Sequence, residues 1–171
     1  YREAVAYCLS KGILTNKEDG TFGINDTTTR AMVAQALWAA EGKPKTVTHC
    51  FYQDVGEAHP YRNGIIWAAE TGVMSGYDGN TFGANDAVTR EQLAAILWRY
   101  AQYKGYDVSV GEDTNILSYA DAFTISEYAI PSMQWACGAG IIGGNDDGTL
   151  NPKGTAQKVH TAQMLMKLMK K

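Results

Sequence analysis

The sequence is poor in cysteine and proline, and it contains no long apolar run. Among its 171 residues are three Cys and four Pro. A membrane-spanning helix needs about 20 consecutive apolar residues. No stretch approaches that length, so we expect a soluble chain without membrane insertion. The sequence begins at Tyr1 and not at Met, with no signal-peptide pattern, and we therefore expect that an earlier segment was removed.

Three cysteines cannot form a closed set of disulfides, and no two of them have the short spacing of a zinc site. Cys8 and Cys137 lie in apolar stretches with helical character, and Cys50 lies in a connecting segment. We predict three reduced, mostly buried thiols. The sequence therefore predicts neither a metal site nor a cofactor.

An excess of charge of one sign is also missing. Fifteen basic and eighteen acidic residues give a formal net charge of −3. This balance excludes the strongly basic surface expected of a nucleic-acid-binding protein. With 45% hydrophobic and 19% charged residues, the chain can bury a core.

The chain contains three copies of one unit. The hexapeptide Thr-Phe-Gly-Ile-Asn-Asp at 21–26 returns as Thr-Phe-Gly-Ala-Asn-Asp at 81–86, which is 60 positions later. A second offset, of 68 positions, relates Trp67 to Trp135. The first copy lacks the opening segment of the other two. We predict a single module of residues 1–171 made of three repeats, with the bounds 1–45, 46–110 and 111–171.

Each copy has the pattern of a helix, a glycine turn, an Asp-Gly loop and a second helix. A glycine follows each first helix, where a residue with positive φ commonly ends a helix. The Asp-Gly pair predicts a tight turn in which glycine again has a positive φ. The first set of glycines is Gly12, Gly72 and Gly140, and the second set is Gly20, Gly79 and Gly148.

Helical periodicity completes the prediction of an all-α fold. The middle copy carries apolar side chains at the spacing of an amphipathic helix, namely Leu93, Ile96, Leu97 and Tyr100. We predict first helices near 1–11, 60–71 and 126–138, and second helices near 29–41, 89–103 and 157–170.

The starts of the second helices carry a cation that stability does not explain. Thr29 and Thr89 can cap these helices through their hydroxyl groups, and Arg30 and Arg90 follow them directly. In the third copy Lys158 takes this position. A cation at the first helical position faces the positive end of the helix dipole, which costs about 0.3–1 kcal/mol. Because helix N–H groups beside a fixed cation form an anion site, we predict that an anion binds here.

A local ion pair is the alternative interpretation of these cations. Asp26 and Asp86 lie four residues before the two arginines and could neutralise them within the protein. In the third copy Gly154 replaces the aspartate while Lys158 is retained, which favours a ligand slightly. The sequence alone leaves both interpretations open.

The patterns typical of catalytic sites are weak in this sequence. Gly138, Gly140 and Gly143 match the letters of a dinucleotide-binding loop, but they follow a predicted helix and not a strand. A sugar hydrolase would need two carboxylates in one cleft. For that role the sequence offers Asp78 with Glu70, and nothing favours them. We predict no catalytic residues and no enzymatic activity.

Several motifs together resemble the S-layer homology repeat. They are Phe51-x-x-Asp54-Val55, Gly72-Val73-Met74-Ser75-Gly76-Tyr77-Asp78-Gly79, Asn85-Asp86-x-x-Thr89-Arg90-Glu91 and the stretch 140–149. The pattern occurs three times in order and covers nearly the whole chain. The resemblance implies three helix–loop–helix repeats around a pseudo-threefold axis, as a spindle with a central helical bundle, three prongs and grooves between them.

The resemblance also implies a function at the bacterial cell surface. Modules of this family anchor extracellular proteins noncovalently to secondary cell-wall polysaccharide, often a pyruvylated one, or to peptidoglycan-linked glycan. Self-assembly on the surface is a further interaction that it implies. In the family the arginine of the Thr-Arg motif meets the acidic sugar. The implied ligand-binding residues are Arg30, Arg90, Lys158, Thr29, Thr89, Asp54, Asp121, Tyr61, Gly76, Tyr77 and Asp78.

The sequence departs from the family pattern at two places. The acidic residue that the family carries two positions after the arginine is here Met32, Gln92 or His160. The family's Trp after His59 is absent, which leaves Tyr61 as the aromatic residue near the site. We expect the groove of the second copy to be the most competent. The alternative function is a protein–protein assembly module of the cell surface that does not bind glycan.

Overall fold

A computed structural model describes residues 1–46 and 49–171. These two ranges form six α-helices: α1 Arg2–Ser10, α2 Arg30–Ala40, α3 Arg62–Thr71, α4 Arg90–Tyr103, α5 Ile130–Gly138 and α6 Lys158–Met169. Short 3-10 helices lie at Ser109–Asp113, Ala122–Thr124 and Glu127–Ala129. Within the two described ranges the strand-like pairings are isolated bridges and no sheet forms, so the all-α prediction is confirmed.

The predicted helices are all present, and the largest difference lies at the start of α5. The predicted helix begins at 126, whereas Glu127–Ala129 forms a 3-10 turn and α5 begins at Ile130. Pro131 stands in the first turn of α5. Proline is tolerated there because the first N–H groups of a helix have no intrahelical acceptor.

The first helix of each repeat packs against the second helix of the preceding repeat. Helix α3 packs on α2, and α5 packs on α4. The same arrangement joins the two ends of the chain, since α1 of the first repeat packs on α6 of the third. The three repeats therefore follow one another in a closed ring, and each pair of packed helices belongs to two repeats.

The segments just before the second helices close this ring at the backbone. The N–H of Thr28 donates to the carbonyl of Ala156 (2.9 Å), that of Val88 to Thr28 (3.0 Å), and that of Ala156 to Val88 (2.9 Å). Thr28 is buried, and its hydroxyl shares a 2.7 Å hydrogen bond with the hydroxyl of Thr161. This cyclic order is what a pseudo-threefold axis requires, while the axis itself and the exact repeat bounds stay predictions.

The apolar stripes of the second helices lie in the core. The predicted stripe of α4 is at most 3% exposed at each of its four residues, Leu93, Ile96, Leu97 and Tyr100. Burial of a side chain of this size stabilises the fold by about 1.5–3 kcal/mol. The loops are tied to the same core by one buried apolar residue in each repeat, namely Phe22, Phe82 and Leu150.

The glycines after the first helices have the predicted left-handed backbone, with φ of 68°, 76° and 75° at Gly12, Gly72 and Gly140. In the Asp-Gly turns, Gly20 and Gly148 also have a positive φ. The same prediction for Gly79 is wrong. The bond from the N–H of Tyr77 to the carbonyl of Thr81 matches that from Lys17 to Thr21, so Asn80 and not Gly79 stands where Gly20 does, but without a positive φ. The Asp78 carboxylate closes this turn by accepting the N–H groups of Asn80 and Thr81.

The three cysteines are free thiols. Cys8 is buried, whereas Cys50 and Cys137 are partly buried. Burial raises the pKa of the Cys8 and Cys137 thiols to about 11, which leaves them protonated and unreactive at neutral pH. Among the helices of the described chain, none combines the length and apolarity needed to cross a membrane. Residues 1–46 and 49–171 form no cluster of His, Cys, Asp and Glu suited to a metal ion.

Candidate ligand-binding grooves

The second helices begin as the sequence predicts, with a cation at the first helical position. The hydroxyl of Thr29 accepts the N–H of Met32 at 3.2 Å, and that of Thr89 accepts the N–H of Gln92 at 3.2 Å. The Gln92 side chain accepts the N–H of Thr89 in return, which completes a capping box. Thr29 and Thr89 therefore fix the helix starts from which the cations project.

Each cation crosses to a loop of the next repeat in the ring. Arg30 donates through Nε to the carbonyl of Phe82 at 3.0 Å and through Nη2 to that of Ser75 at 2.5 Å. Arg90 donates through Nε to the carbonyl of Leu150 at 2.9 Å. The acceptors are neutral carbonyl oxygens, so these bonds hold the cations in place without cancelling their charge.

The third cation follows the same rule. Lys158 donates to the carbonyls of Thr15 at 2.8 Å and Phe22 at 2.7 Å, and its ammonium lies 4.3 Å from the centroid of the Phe22 ring. The residue as a whole is 5% exposed. Lys158 is therefore a buried charge that carbonyl groups and an aromatic face solvate.

The ion-pair interpretation of these cations is wrong. Asp26 pairs with Lys17 at 3.1 Å, and Asp86 accepts the hydroxyl of Tyr77 at 2.7 Å. Four ion pairs form within residues 1–46 and 49–171, and none of them contains Arg30, Arg90 or Lys158.

Burial without a carboxylate partner changes the acidity of all three cations. It lowers the pKa of the Arg30 and Arg90 guanidinium groups and that of the Lys158 ammonium group. The pKa falls because each charge has lost water and gained no full counter-charge. An anion that enters beside these cations would supply the missing charge.

Arg30 lies in a cavity of about 220 Å³, which we call groove A. Groove A combines Arg30 of the first repeat with residues 74–77 and α4 of the second repeat and with Tyr128 of the third. The Tyr77 ring lies over the guanidinium, with its centroid 4.8 Å from the Arg30 Cζ. Gly76 leaves no room for a side chain, since a Cβ there would lie 2.5 Å from the Tyr52 ring. Groove A thus joins the predicted residues Arg30, Gly76 and Tyr77.

Two further cavities repeat this plan. Groove B, of about 230 Å³, combines Arg90 with the corresponding turn and α6 of the third repeat and with Tyr1 of the first. Groove C, of about 90 Å³, combines Lys158 with the turn and α2 of the first repeat and with Tyr61 of the second. Each groove therefore takes its cation, its walls and one tyrosine from three different repeats. Groove C is less than half as large as the others, so we expect it to bind most weakly.

The predicted acidic residues lie outside these linings and hold the loops. Asp54 accepts the N–H groups of Phe82 (2.9 Å), Gly83 (2.8 Å) and Ala84 (2.9 Å). Burial acts to raise the pKa of Asp54, but these three bonds outweigh it and the pKa is lowered. Asp121 accepts two N–H groups of the corresponding loop, both at 2.8 Å. Because Asp54, Asp121 and Asp78 are occupied by backbone groups, we assign them to loop structure and not to ligand contact.

The sequence predicts Tyr61 as the aromatic residue near the site, and the grooves also contain Tyr1 and Tyr128 at the equivalent place. Tyr61 lies in groove C with Lys158. Tyr128 and Tyr1, which occupy the equivalent place in grooves A and B, were not predicted. The offset of 60 that relates Tyr1 to Tyr61 was the available signal for Tyr1.

The sequence profile of the S-layer homology domain matches residues 1–32, 51–94 and 118–156, which is more than half of the chain. The chain is 29% identical to an amylopullulanase of Thermoanaerobacterium thermosulfurigenes, over 99% of this chain and 9% of that protein. It is 26% identical to an endoglucanase of Bacillus sp. (strain KSM-635), over 92% of this chain and 16% of that protein. It is also 26% identical to a surface-layer 125 kDa protein of Lysinibacillus sphaericus, over 88% of this chain and 12% of that protein. The chain therefore spans a small part of the length of these relatives.

Proposed function

Because the chain belongs to the S-layer homology domain family, we propose that its grooves bind an acidic cell-wall polysaccharide and so anchor a larger protein noncovalently. Members of this family are non-catalytic anchoring modules of the bacterial cell surface, and that much holds for this chain. The polysaccharide, its acidic group and the binding residues are the parts that we propose.

One observation carries this proposal: three partly or fully buried cations lie in cavities, held by neutral carbonyls and paired with no carboxylate of the described chain. A carboxylate of an acidic sugar, such as a pyruvate ketal, would accept charge-assisted hydrogen bonds from them. The tyrosine of each groove offers an aromatic face to the sugar ring.

Groove B is the best placed of the three for a carboxylate. Among the described contacts Arg90 uses only Nε, so both of its Nη groups remain for a planar, bidentate interaction. Arg30 already uses Nη2, and Lys158 offers a point charge in the smallest cavity. We therefore expect the affinity of the grooves for a carboxylate to decrease in the order B, A, C.

Retention on the wall would come from several grooves acting together. One charge-assisted hydrogen bond contributes about 1.5–3 kcal/mol, which is too little for firm attachment. Two or three grooves on one polymer raise the effective concentration of each sugar at the next groove.

Removal of ketal pyruvate from purified wall polysaccharide by mild acid is expected to abolish most binding, because it removes the carboxylate that the cations require. Sedimentation of the protein with treated and untreated walls measures this. Walls treated with acid too briefly to release their pyruvate serve as the control for acid damage. Equal sedimentation with both wall preparations would contradict a carboxylate ligand.

A surface assembly module is the second candidate function, and an exposed apolar patch favours it. Phe123 is 88% exposed and Leu117 is 64% exposed, and both line an apolar cleft next to α5. Exposed apolar patches commonly mark protein–protein contacts.

Replacing Phe123 by Ser is expected to leave wall binding unchanged if the grooves carry the function. Wall sedimentation and analytical ultracentrifugation of the same variant test this. If the variant loses wall attachment together with self-association, assembly and not glycan binding is the function.

A further inference from the structure

Each groove contains a second cation. Arg99 lies in groove A with Arg30, and Lys167 lies in groove B with Arg90. Lys43 lies in groove C with Lys158. The three cavities therefore have a similar arrangement of charges. Each has one cation at the start of a helix and a second cation elsewhere on its wall.

The second cation of grooves A and B comes from equivalent helix positions. Arg99 follows Arg90 by nine residues in α4, and Lys167 follows Lys158 by nine residues in α6. Both extend a face that lines the groove at helical spacing, since Gln92, Ala95 and Ile96 precede Arg99 on the wall of groove A.

Groove C obtains its second cation in a different way. The position equivalent to Arg99 is Ala39, which carries no charge. Lys43, beyond the end of α2, lines the groove instead and has a φ of 56°. A positive φ is uncommon for a residue other than glycine. Groove C therefore has a second cation although the position equivalent to Arg99 is neutral.

None of these six cations forms an ion pair within the described residues, although the charges of Asp86, Asp121 and Asp26 act on Arg30, Arg90 and Lys158 from farther away. The ion pairs of the described chain involve Lys17, Lys104, Lys153 and Lys170 and none of the groove cations. Among the described residues that line the three grooves, none is acidic, although the chain has a net charge of −3. Burial lowers the pKa of Arg30, and the nearby charge of Arg99 lowers it further, so the two cations repel each other.

We propose that each groove binds a stretch of polymer with two negative charges, so that the ligand is a glycan with acidic groups on neighbouring sugars. This rests on the proposed function and names the charge of its ligand. The cation at the helix start takes one acidic group, and the cation on the wall takes the other.

Two acidic sugars of known structure test the number of charges. Galacturonic acid has one carboxylate, and digalacturonic acid has two on adjacent sugars. Isothermal titration at low salt is expected to show digalacturonic acid binding about tenfold or more tightly, because a second charge-assisted contact is added. The triple variant Lys43→Gln, Arg99→Gln, Lys167→Gln is expected to lose this difference and to retain binding of galacturonic acid.

A second triple variant tests whether the preference depends on the position of the three cations or only on the net charge of the protein. Lys11→Gln, Lys45→Gln and Lys171→Gln remove the same number of charges from exposed positions, and this protein is expected to keep the preference for digalacturonic acid. Equal affinity of the wild-type protein for the two acids, or binding of neither, overturns the inference. Wall sedimentation of the same wild-type protein then shows separately whether the proposed function stands.

Discussion

Replacing Arg90 by Ala is expected to weaken binding of wall polysaccharide to groove B by about 10- to 100-fold, with the fold unchanged. The magnitude is that of a charge-assisted hydrogen bond to a carboxylate, about 1.5–3 kcal/mol. The variant also loses the bond from Nε to the carbonyl of Leu150, so the unfolding temperature should fall by a few degrees at most. Titration of purified polysaccharide, with circular dichroism of the same samples, measures both effects.

Arg62→Ala is the matched control for this experiment. Arg62 also stands at the first position of a helix, α3, and donates to a backbone carbonyl, that of Val55. It lines none of the three grooves. Arg90→Lys keeps the charge and loses the planar fork, so its affinity should lie between those of wild type and Arg90→Ala. If Arg90→Ala and Arg62→Ala bind the polysaccharide equally well, Arg90 has no part in recognition.

The helix starts could be predicted because their causes are local. A hydroxyl that caps a helix, a cation directly after it and a glycine with positive φ beyond the preceding helix act within a few residues. The structure has each of these features where the repeat comparison places them, as Thr89, Arg90 and Gly72 show. The exception is the turn of the second repeat, where neither Gly79 nor Asn80 has a positive φ.

The ion-pair alternative stayed open because sequence spacing does not fix distance. Four residues bring two side chains together on a helix, but Thr29 and Thr89 have extended backbones. An extended chain rises about 3.3 Å per residue, which separates Asp86 from Arg90 along the chain. Asp86 instead lies near Arg30 of the preceding repeat, where its charge acts to raise the pKa of that guanidinium.

The composition of each groove could not be predicted, since it depends on the order of the repeats in space. Sequence comparison treats each repeat as a unit with its own cation, loop and aromatic residue. In the structure the first helix of each repeat packs against the second helix of the preceding repeat. A cation therefore contacts the loop of the next repeat and lies in one groove with a tyrosine of the third. Tyr61 of the second repeat, for example, lies in groove C with Lys158 of the third. Arg99 could have been predicted to line groove A, because it lies at helical spacing from Gln92 and Ile96.

The acidic motif residues show a related limit. The family resemblance marks Asp54 as part of the pattern but does not say whether a ligand or the protein uses its carboxylate. Three backbone N–H groups converge on Asp54 only when the loop at 82–84 has folded over it. The distinction between a binding residue and a loop-forming residue therefore required the tertiary structure.

Replacing Glu91 by Ala is expected to lower the free energy of unfolding by about 2–3 kcal/mol and the unfolding temperature by about 5–10 °C at pH 7. The Glu91 side chain is 3% exposed and accepts the Lys153 ammonium at 2.7 Å. It also accepts the N–H and the hydroxyl of Ser126, both at 2.8 Å, and so ties α4 to the segment that carries Tyr128 of groove A. Thermal unfolding followed by circular dichroism measures the loss, with the exposed Glu112→Ala as the control.

The stabilisation of the fold by Glu91 should decrease as the pH falls. Burial acts to raise the pKa of this carboxyl group, but the bonds from Lys153 and Ser126 outweigh it and the pKa is lowered in the folded protein. The stabilisation is therefore present above the unfolded pKa of about 4.3 and is lost as the pH falls through the lower, folded value. The difference in unfolding temperature between wild type and Glu91→Ala should shrink as the pH falls below about 4. A difference that stays constant from pH 7 down to pH 3 would show that packing, and not the charge of Glu91, joins α4 to the third repeat.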